Sequence, residues 1–469
     1  MNRNKEFAKN TIILFIGKFA SQFMSLLLLP LFTHYLIAED YGIVDLFQTY
    51  MSLFIPVLTL RMDSAVFRYL IDNRENEEGK KKVLTNVLFL LIISVLFTIL
   101  VSTILIHFIR IKYAKYIIVN LVILMISNVL LQILRGIGDN KGYSITSIIV
   151  GITTLLTNII LIICFHRQAE SILISSSVAN LICIFYVIVS AKLFKYFDVK
   201  LIKKKDIKEL LKYSLPMIPN SLSWWVVNVS DRTVVSIFLG VAYNAIYSVS
   251  CKFSNILNSI FTIFNMSWQE TASLHINDKD KDTFFSNMIN KLVLLFGTVS
   301  LLIIALLPFV YDIIIGNEYI SSYKFIPLLL YANIGNVLAT LIGGFYLALK
   351  KTKEIANTTI ISAIINIVVD FALINFVGLY AACISTFISY LYLCIYRYFD
   401  SKKYLNINID FKSIIIFTII FVFSSCLYLY NNIILNVFNL IFIVVYSVIV
   451  NKDLIMKFLN KSKKIILRH

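Results

Sequence analysis

Fourteen mostly apolar runs, each about 20 residues long, succeed one another along this chain with few charges inside them. They fall at residues 11–33, 41–60, 83–107, 116–134, 143–165, 171–191, 214–240, 244–270, 292–311, 322–349, 355–377, 379–396, 413–430 and 433–450. An α-helix needs about 20 such residues to cross roughly 30 Å of hydrocarbon. The spacing therefore predicts an all-α integral membrane protein with about 14 transmembrane helices. Composition agrees, with 59% hydrophobic and 15% charged residues, where a soluble domain is nearer half apolar and a quarter charged.

A net charge of +17 could suggest nucleic acid as a partner. Its distribution argues against that, because the basic residues sit in short clusters between apolar runs and no stretch could form a soluble basic domain. With the N-terminus in the cytoplasm, 35 of the 43 Lys and Arg fall in inner segments and 5 in or at the edge of outer ones (Arg110, Lys112, Lys115, Arg167 and, just inside a run, Lys324). The positive-inside rule then predicts that both termini are cytoplasmic. The first run, 11–33, is too long for a signal-peptide core and lacks a small-residue cleavage site, so it is read as a retained span. The outer loops are too short for a folded external domain, which points to transport rather than to chemistry on the outer face. No GxxxxGK[ST], HExxH, GxSxG or CxxC occurs, and the six cysteines lie inside apolar runs as small hydrophobes. The expectation is a secondary transporter, not an enzyme, with no metal or resident cofactor.

The longest inner loop, 192–212, carries eight lysines. It divides the chain into an N-terminal six-helix lobe (1–191), a basic cytoplasmic linker (192–213), a C-terminal six-helix lobe (214–400) and an extra helix pair with a basic tail (401–469). The halves resemble each other. At an offset of 212 residues, Thr146 meets Thr358, Ile148 meets Ile360, Leu161 meets Leu373 and Asn158 meets Asp370. At an offset of 203, Lys9 meets Lys212, Leu36 meets Leu239 and Ile43 meets Ile246. Six spans per half bring both halves in from the same side, a parallel repeat of the kind that places a transport path between the halves.

An ionisable side chain in hydrocarbon is costly unless it faces a cavity or a partner, so each one marks a candidate site. Lys18 lies in the first span, with Gln22 one turn on along the same face. Arg61 and Arg68 close the second span beside Asp63, as cavity groups or as interfacial anchors. Asp231 and Arg232 lie in the seventh span with Asn228 one turn before the arginine, and Lys252 lies in the eighth. By helical rise Asp231, Arg232 and Lys252 share about one depth and could meet as a cluster of net positive charge, whereas Lys18 lies about 6 Å inward of its midpoint. Two basic stations facing an anion is one reading; a packing ion pair at Asp231 and Arg232 with a snorkelling Lys18 is the other. Asp370 in the eleventh span is either a proton or sodium site or a partnered polar group at a helix interface. Pro216 and Pro219 are expected to loosen the start of the seventh span into a kink, and Trp224 and Trp225 lie at its middle.

The segment 214–253, SLPMIPNSLSWWVVNVSDRTVVSIFLGVAYNAIYSVSCKF, resembles the hallmark region of bacterial polysaccharide-repeat-unit flippases, the Wzx or polysaccharide-transporter type. The matching residues are Pro216, Pro219, Asp231, Arg232, Leu239, Gly240, Ile246, Tyr247 and Ser248. LRMDSAVFRYL at 60–70 is similar to the family's second-span end, and NIVVDFALINFVGLYAACIST at 366–386 to its eleventh and twelfth spans. Two features depart from the pattern: Tyr243-Asn244-Ala245 replaces a usual Val-Gly pair, shifting that turn, and Asp370 replaces a more usual Asn.

The resemblance implies membership of the multidrug/oligosaccharidyl-lipid/polysaccharide exporter superfamily, with two six-helix lobes around a central cavity in the bacterial cytoplasmic (inner) membrane. It also implies the substrate, an undecaprenyl-diphosphate-linked oligosaccharide on the way to O-antigen, capsule or another surface glycan. The expected substrate-binding residues are Lys18, Gln22, Arg61, Arg68, Asn228, Asp231, Arg232 and Lys252, with Asp370 as the ion-coupling candidate for Na+ or H+. Membrane lipid, a polysaccharide polymerase and glycosyltransferases are the expected partners. A drug or metabolite antiporter of the same fold and a scaffold that recruits glycosyltransferases through 192–212 are the competing expectations.

Overall fold

The computed structural model of the protein describes residues 23–108, 112–276, 278–349 and 351–452, together with Gly17, Ala20, Ser21 and Met456. Among the described residues every regular element is a helix. In chain order they are α1 (Phe23–Tyr35), α2 (Ala38–Leu58), α3 (Met62–Asp72), α4 (Glu77–Phe108), α5 (Ala114–Ile137), α6 (Asn140–Ile159) and α7 (Glu170–Ser190). After the short α8 (Leu193–Tyr196) and α9 (Lys204–Ser214) come α10 (Met217–Phe238), α11 (Val241–His275), α12 (Lys281–Ile314) and α13 (Ile326–Ala348). The series closes with α14 (Thr352–Val377), α15 (Tyr380–Ser401), α16 (Phe411–Tyr430) and α17 (Ile433–Val450).

Thirteen of the fourteen apolar runs coincide with one helix each, the part of the first run from Phe23 onward lies in α1, and ten of the described helices are long and apolar enough to span a membrane. This is a multi-pass membrane protein. Of the other four, α1 is short in its described part, and α10, α11 and α15 carry more polar residues. The run at 143–165 ends in a π-helical turn (Ile160–Cys164), and that at 322–349 opens in a 3-10 segment (Asn317–Phe325) before α13.

Two compact units divide the chain, Met1–Ala245 and Ile246–His469, with the boundary inside α11. In the first, α5 packs along α7 and α7 along α6; in the second, α13 packs along α15 and α15 along α14. These trios are spans four to six and ten to twelve, so each unit builds the same helix arrangement from its own half of the sequence repeat. Asn158 on α6 and Asp370 on α14, which the offset aligns, are both fully buried.

The core of the first unit gathers Met62, Val66 and Leu70 of α3 with Leu84, Val87, Val129, Ile133 and Cys183 of its neighbours. In the second, Trp268 donates its indole N–H to the Leu341 carbonyl (2.8 Å) and packs edge-on against Phe285 and Phe345. A Cβ at position 344 would stand 2.7 Å from that indole nitrogen, so Gly344 makes the approach possible. The extra pair α16 and α17 packs on α12, with Asn451 donating to Thr298 (2.9 Å) and Tyr428 stacked on Tyr323.

The linker expected at 192–213 is itself folded. Asp198 pairs with Lys81 (2.8 Å), Asp206 with Lys82 (2.8 Å), and Asn86 holds the Leu201 carbonyl (3.1 Å) and the Lys203 N–H (3.2 Å). Pro216 and Pro219, expected to loosen the start of the seventh span, fall at a helix boundary. The chain breaks between α9 and α10, Pro216 caps the new helix and Pro219 falls in its first turn, where a missing N–H costs nothing.

Candidate functional site

The first unit holds a polar cluster between α2, α10 and the start of α11. Asp45 and Thr49 lie one turn apart on α2, and Trp225 and Arg232 lie two turns apart on α10, so each helix offers both groups on one face. Arg232 places Nη1 at 3.0 and 2.8 Å from the two Asp45 oxygens and donates to Thr49 Oγ1 at 3.2 Å. Trp225 donates its indole N–H to the Thr49 carbonyl (2.9 Å) and stacks on Tyr50, with centroids 6.3 Å apart. Asn244 donates to the Gly42 carbonyl (3.1 Å) and to Asp45 Oδ2 (3.4 Å). Position 42 must be glycine for α2 and α11 to come this close, because a Cβ there would stand 2.0 Å from the Val241 carbonyl oxygen.

Both charges are largely out of water, with side-chain exposures of 18% for Arg232 and 6% for Asp45. Such a pair holds helices together while it lasts, and losing either member strands the other charge. Chemically, Arg232 is a guanidinium held by an internal carboxylate. A phosphate could take the carboxylate's place, because it offers the same fork of oxygens with more charge.

The expected site residues are distributed as follows. Arg61 caps α3 in the left-handed region (φ +55°), with Nη2 3.3 Å from Asp63 and a hydrogen bond to Ser64. Arg68 pairs with Asp72 one turn on (3.2 Å), and both are half exposed. Asp231 is buried beside Arg232 in the sequence, yet the carboxylate that grips Arg232 comes from Asp45. Arg232 thus carries a carboxylate partner from α2 in addition to the residues expected around it. Lys252 lies half-buried in the second unit, and Asp370 is fully buried there. Lys18 and Gln22 lie outside the described residues, as does the side chain of Asn228.

Several polar anchors escaped the sequence reading. Asp45 is an acid inside an apolar run and could have been flagged on that ground alone. Asn244 sits where the sequence departs from the flippase pattern, and the structure uses it to tie α11 to α2. Arg397, placed just past a span end by hydropathy, is buried and held by neutral oxygens: the Ala339 carbonyl (3.0 Å), Thr358 Oγ1 (3.1 Å from Nη2) and Thr359 Oγ1 (3.1 Å). It staples α13, α14 and α15 together.

The family profile described as polysaccharide biosynthesis protein matches residues 7–268. The chain belongs to this family. A Haemophilus influenzae protein of the Lsg locus is 36% identical over 61 residues, 13% of this chain, and the match spans only 15% of that relative's length. Among solved structures, the inward-facing conformation of a multidrug resistance MATE family transporter of the MOP superfamily is similar over 81% of this chain and 97% of its own, at a TM-score of 0.62 and 14% identity. A MOP superfamily transporter from Pyrococcus furiosus, described as having a binding pocket of reverse polarity, is similar over 84% of this chain and 94% of its own (TM-score 0.60, 15% identity). For this family member the likeness fixes the fold, that of a MATE-type membrane transporter.

Proposed function

We propose that the protein flips an undecaprenyl-diphosphate-linked oligosaccharide repeat unit from the cytoplasmic to the outer leaflet of the bacterial inner membrane by alternating access. The observation that carries this reading is the joint one: a polysaccharide biosynthesis family member built on a transporter fold. Lys18, Arg61, Arg68 and Arg232 of the first unit are the candidates to receive the diphosphate, with Gln22, Asn228 and Asp231 as polar groups beside them, and Lys252 is the candidate that the second unit offers. Arg232 starts on Asp45; the incoming diphosphate displaces that carboxylate and so loosens α10 from α2. Asp370 is the candidate group for a coupling Na+ or H+. The net positive set of candidate residues agrees with an anionic cargo.

The MATE-type fold favours a second reading, a cation- or proton-coupled drug or metabolite antiporter. One experiment separates the two. Full-length protein in proteoliposomes is given a polyprenyl-diphosphate-linked oligosaccharide, and outer-leaflet appearance of the sugar is followed beside uptake of a cationic dye. Sugar translocation, reduced at least tenfold by Arg232→Ala, is the expected result. Dye transport without sugar translocation would replace the flippase reading with the antiporter.

A further inference from the structure

The linker that joins the repeats leaves an unusual charge balance behind. All eight lysines of 192–212 are exposed, and among the described residues none forms an ion pair. Two of the linker's three acids, Asp198 and Asp206, are already committed to Lys81 and Lys82 of α4. Among these lysines, large apolar groups also face outward: Phe194 is 85% exposed and Val199 67%. An ammonium-rich surface studded with exposed aromatics suits the level of lipid headgroups, where charged heads stay wet and rings enter the hydrocarbon boundary.

Phe194 also lines a groove of about 370 Å³ on the surface of the first unit. It is lined only by apolar side chains, among them Leu88, Ile92 and Leu96 of α4, Ile126 of α5, Ile184 of α7 and Phe194 of α8. From Leu88 to Leu96 it runs about 12 Å along α4. Lys192 and Lys195, both exposed, flank the lining residues Leu193 and Phe194 in the chain, and the Lys195 ammonium lies 5.6 Å from the Tyr196 ring centroid. We propose that this groove and these lysines form a binding site for an anionic glycerophospholipid, with an acyl chain along α4 and the headgroup phosphate on Lys192 and Lys195. A glycerophospholipid fits better than a polyisoprenoid carrier because the slot is short and the lysines are separate point charges rather than a convergent diphosphate cradle. The site is distinct from the Asp45–Arg232 cluster and does not depend on the flippase reading.

Native mass spectrometry of full-length protein equilibrated with mixed phosphatidylglycerol and phosphatidylcholine tests this. Phosphatidylglycerol is retained in preference, and Lys192→Gln with Lys195→Gln lowers its retention roughly 25-fold, at about fivefold per lysine near a charged surface. Ile92→Trp, at a lipid-facing position, fills the groove and lowers retention of both lipids. Both lysines are exposed, so elution and helical content stay those of the parent. Equal retention of the two lipids, or an undiminished preference in the double lysine variant, would overturn the proposal and leave the lysines for an acidic protein partner. Displacement of phosphatidylglycerol by an equal concentration of a glycan-free polyprenyl diphosphate would overturn it too.

Discussion

At the scale of single residues, the Asp45–Arg232 pair is where sequence and structure part most clearly. Arg232 stood out because a cation inside an apolar run demands a reason. Its partner did not, because the partner lies 187 positions away and nothing local joins them. Asp231, next in the chain, is the nearest acid in sequence, but neighbouring residues on a helix do not face each other. The pair yields a sharp expectation. Asp45→Ala leaves a mostly buried guanidinium without its carboxylate and costs about 3 kcal/mol, whereas Asp45→Ala with Arg232→Ala recovers more than half of that loss. Thermal unfolding of the purified variants in one detergent checks it, and additive losses would mean that the pair is not coupled.

At the scale of elements, hydropathy located the helices well, since a span must satisfy its backbone alone and so announces itself by length. It located their ends less well, as at α4, which begins six residues before its apolar run. It read 192–213 only as a basic linker, because helices of four and eleven residues with many lysines leave no hydropathic trace. What holds the linker is long-range and partly electrostatic. Lys81 donates to Asp198 and keeps that carboxyl below its ordinary value of 3.8. A depressed carboxyl contributes stability that is complete above the ordinary value and is lost as pH falls through the lowered one. The linker is therefore expected to keep its protection from neutral pH down to about pH 4 and to loosen below it. Pulsed amide exchange over residues 193–214 across that range is the measurement, and Lys81→Gln should bring the loosening to higher pH.

For the whole molecule, the repeat was legible in the sequence as a weak, constant offset, and its meaning became plain only when each unit built the same trio of helices. The offset aligned Asn158 with Asp370, and both prove to be completely enclosed. Asp370→Asn restores in the second unit the residue type that the first already tolerates there, so unfolding temperature should change by no more than a few degrees. If Asp370 couples transport to a cation, the same variant loses the response of flipping to an imposed proton or sodium gradient while ungraded exchange continues. An unchanged gradient response would remove Asp370 from that role. Two copies of one architecture that differ at so sheltered a spot are not interchangeable: the second encloses a group that can take up a proton where the first encloses one that cannot.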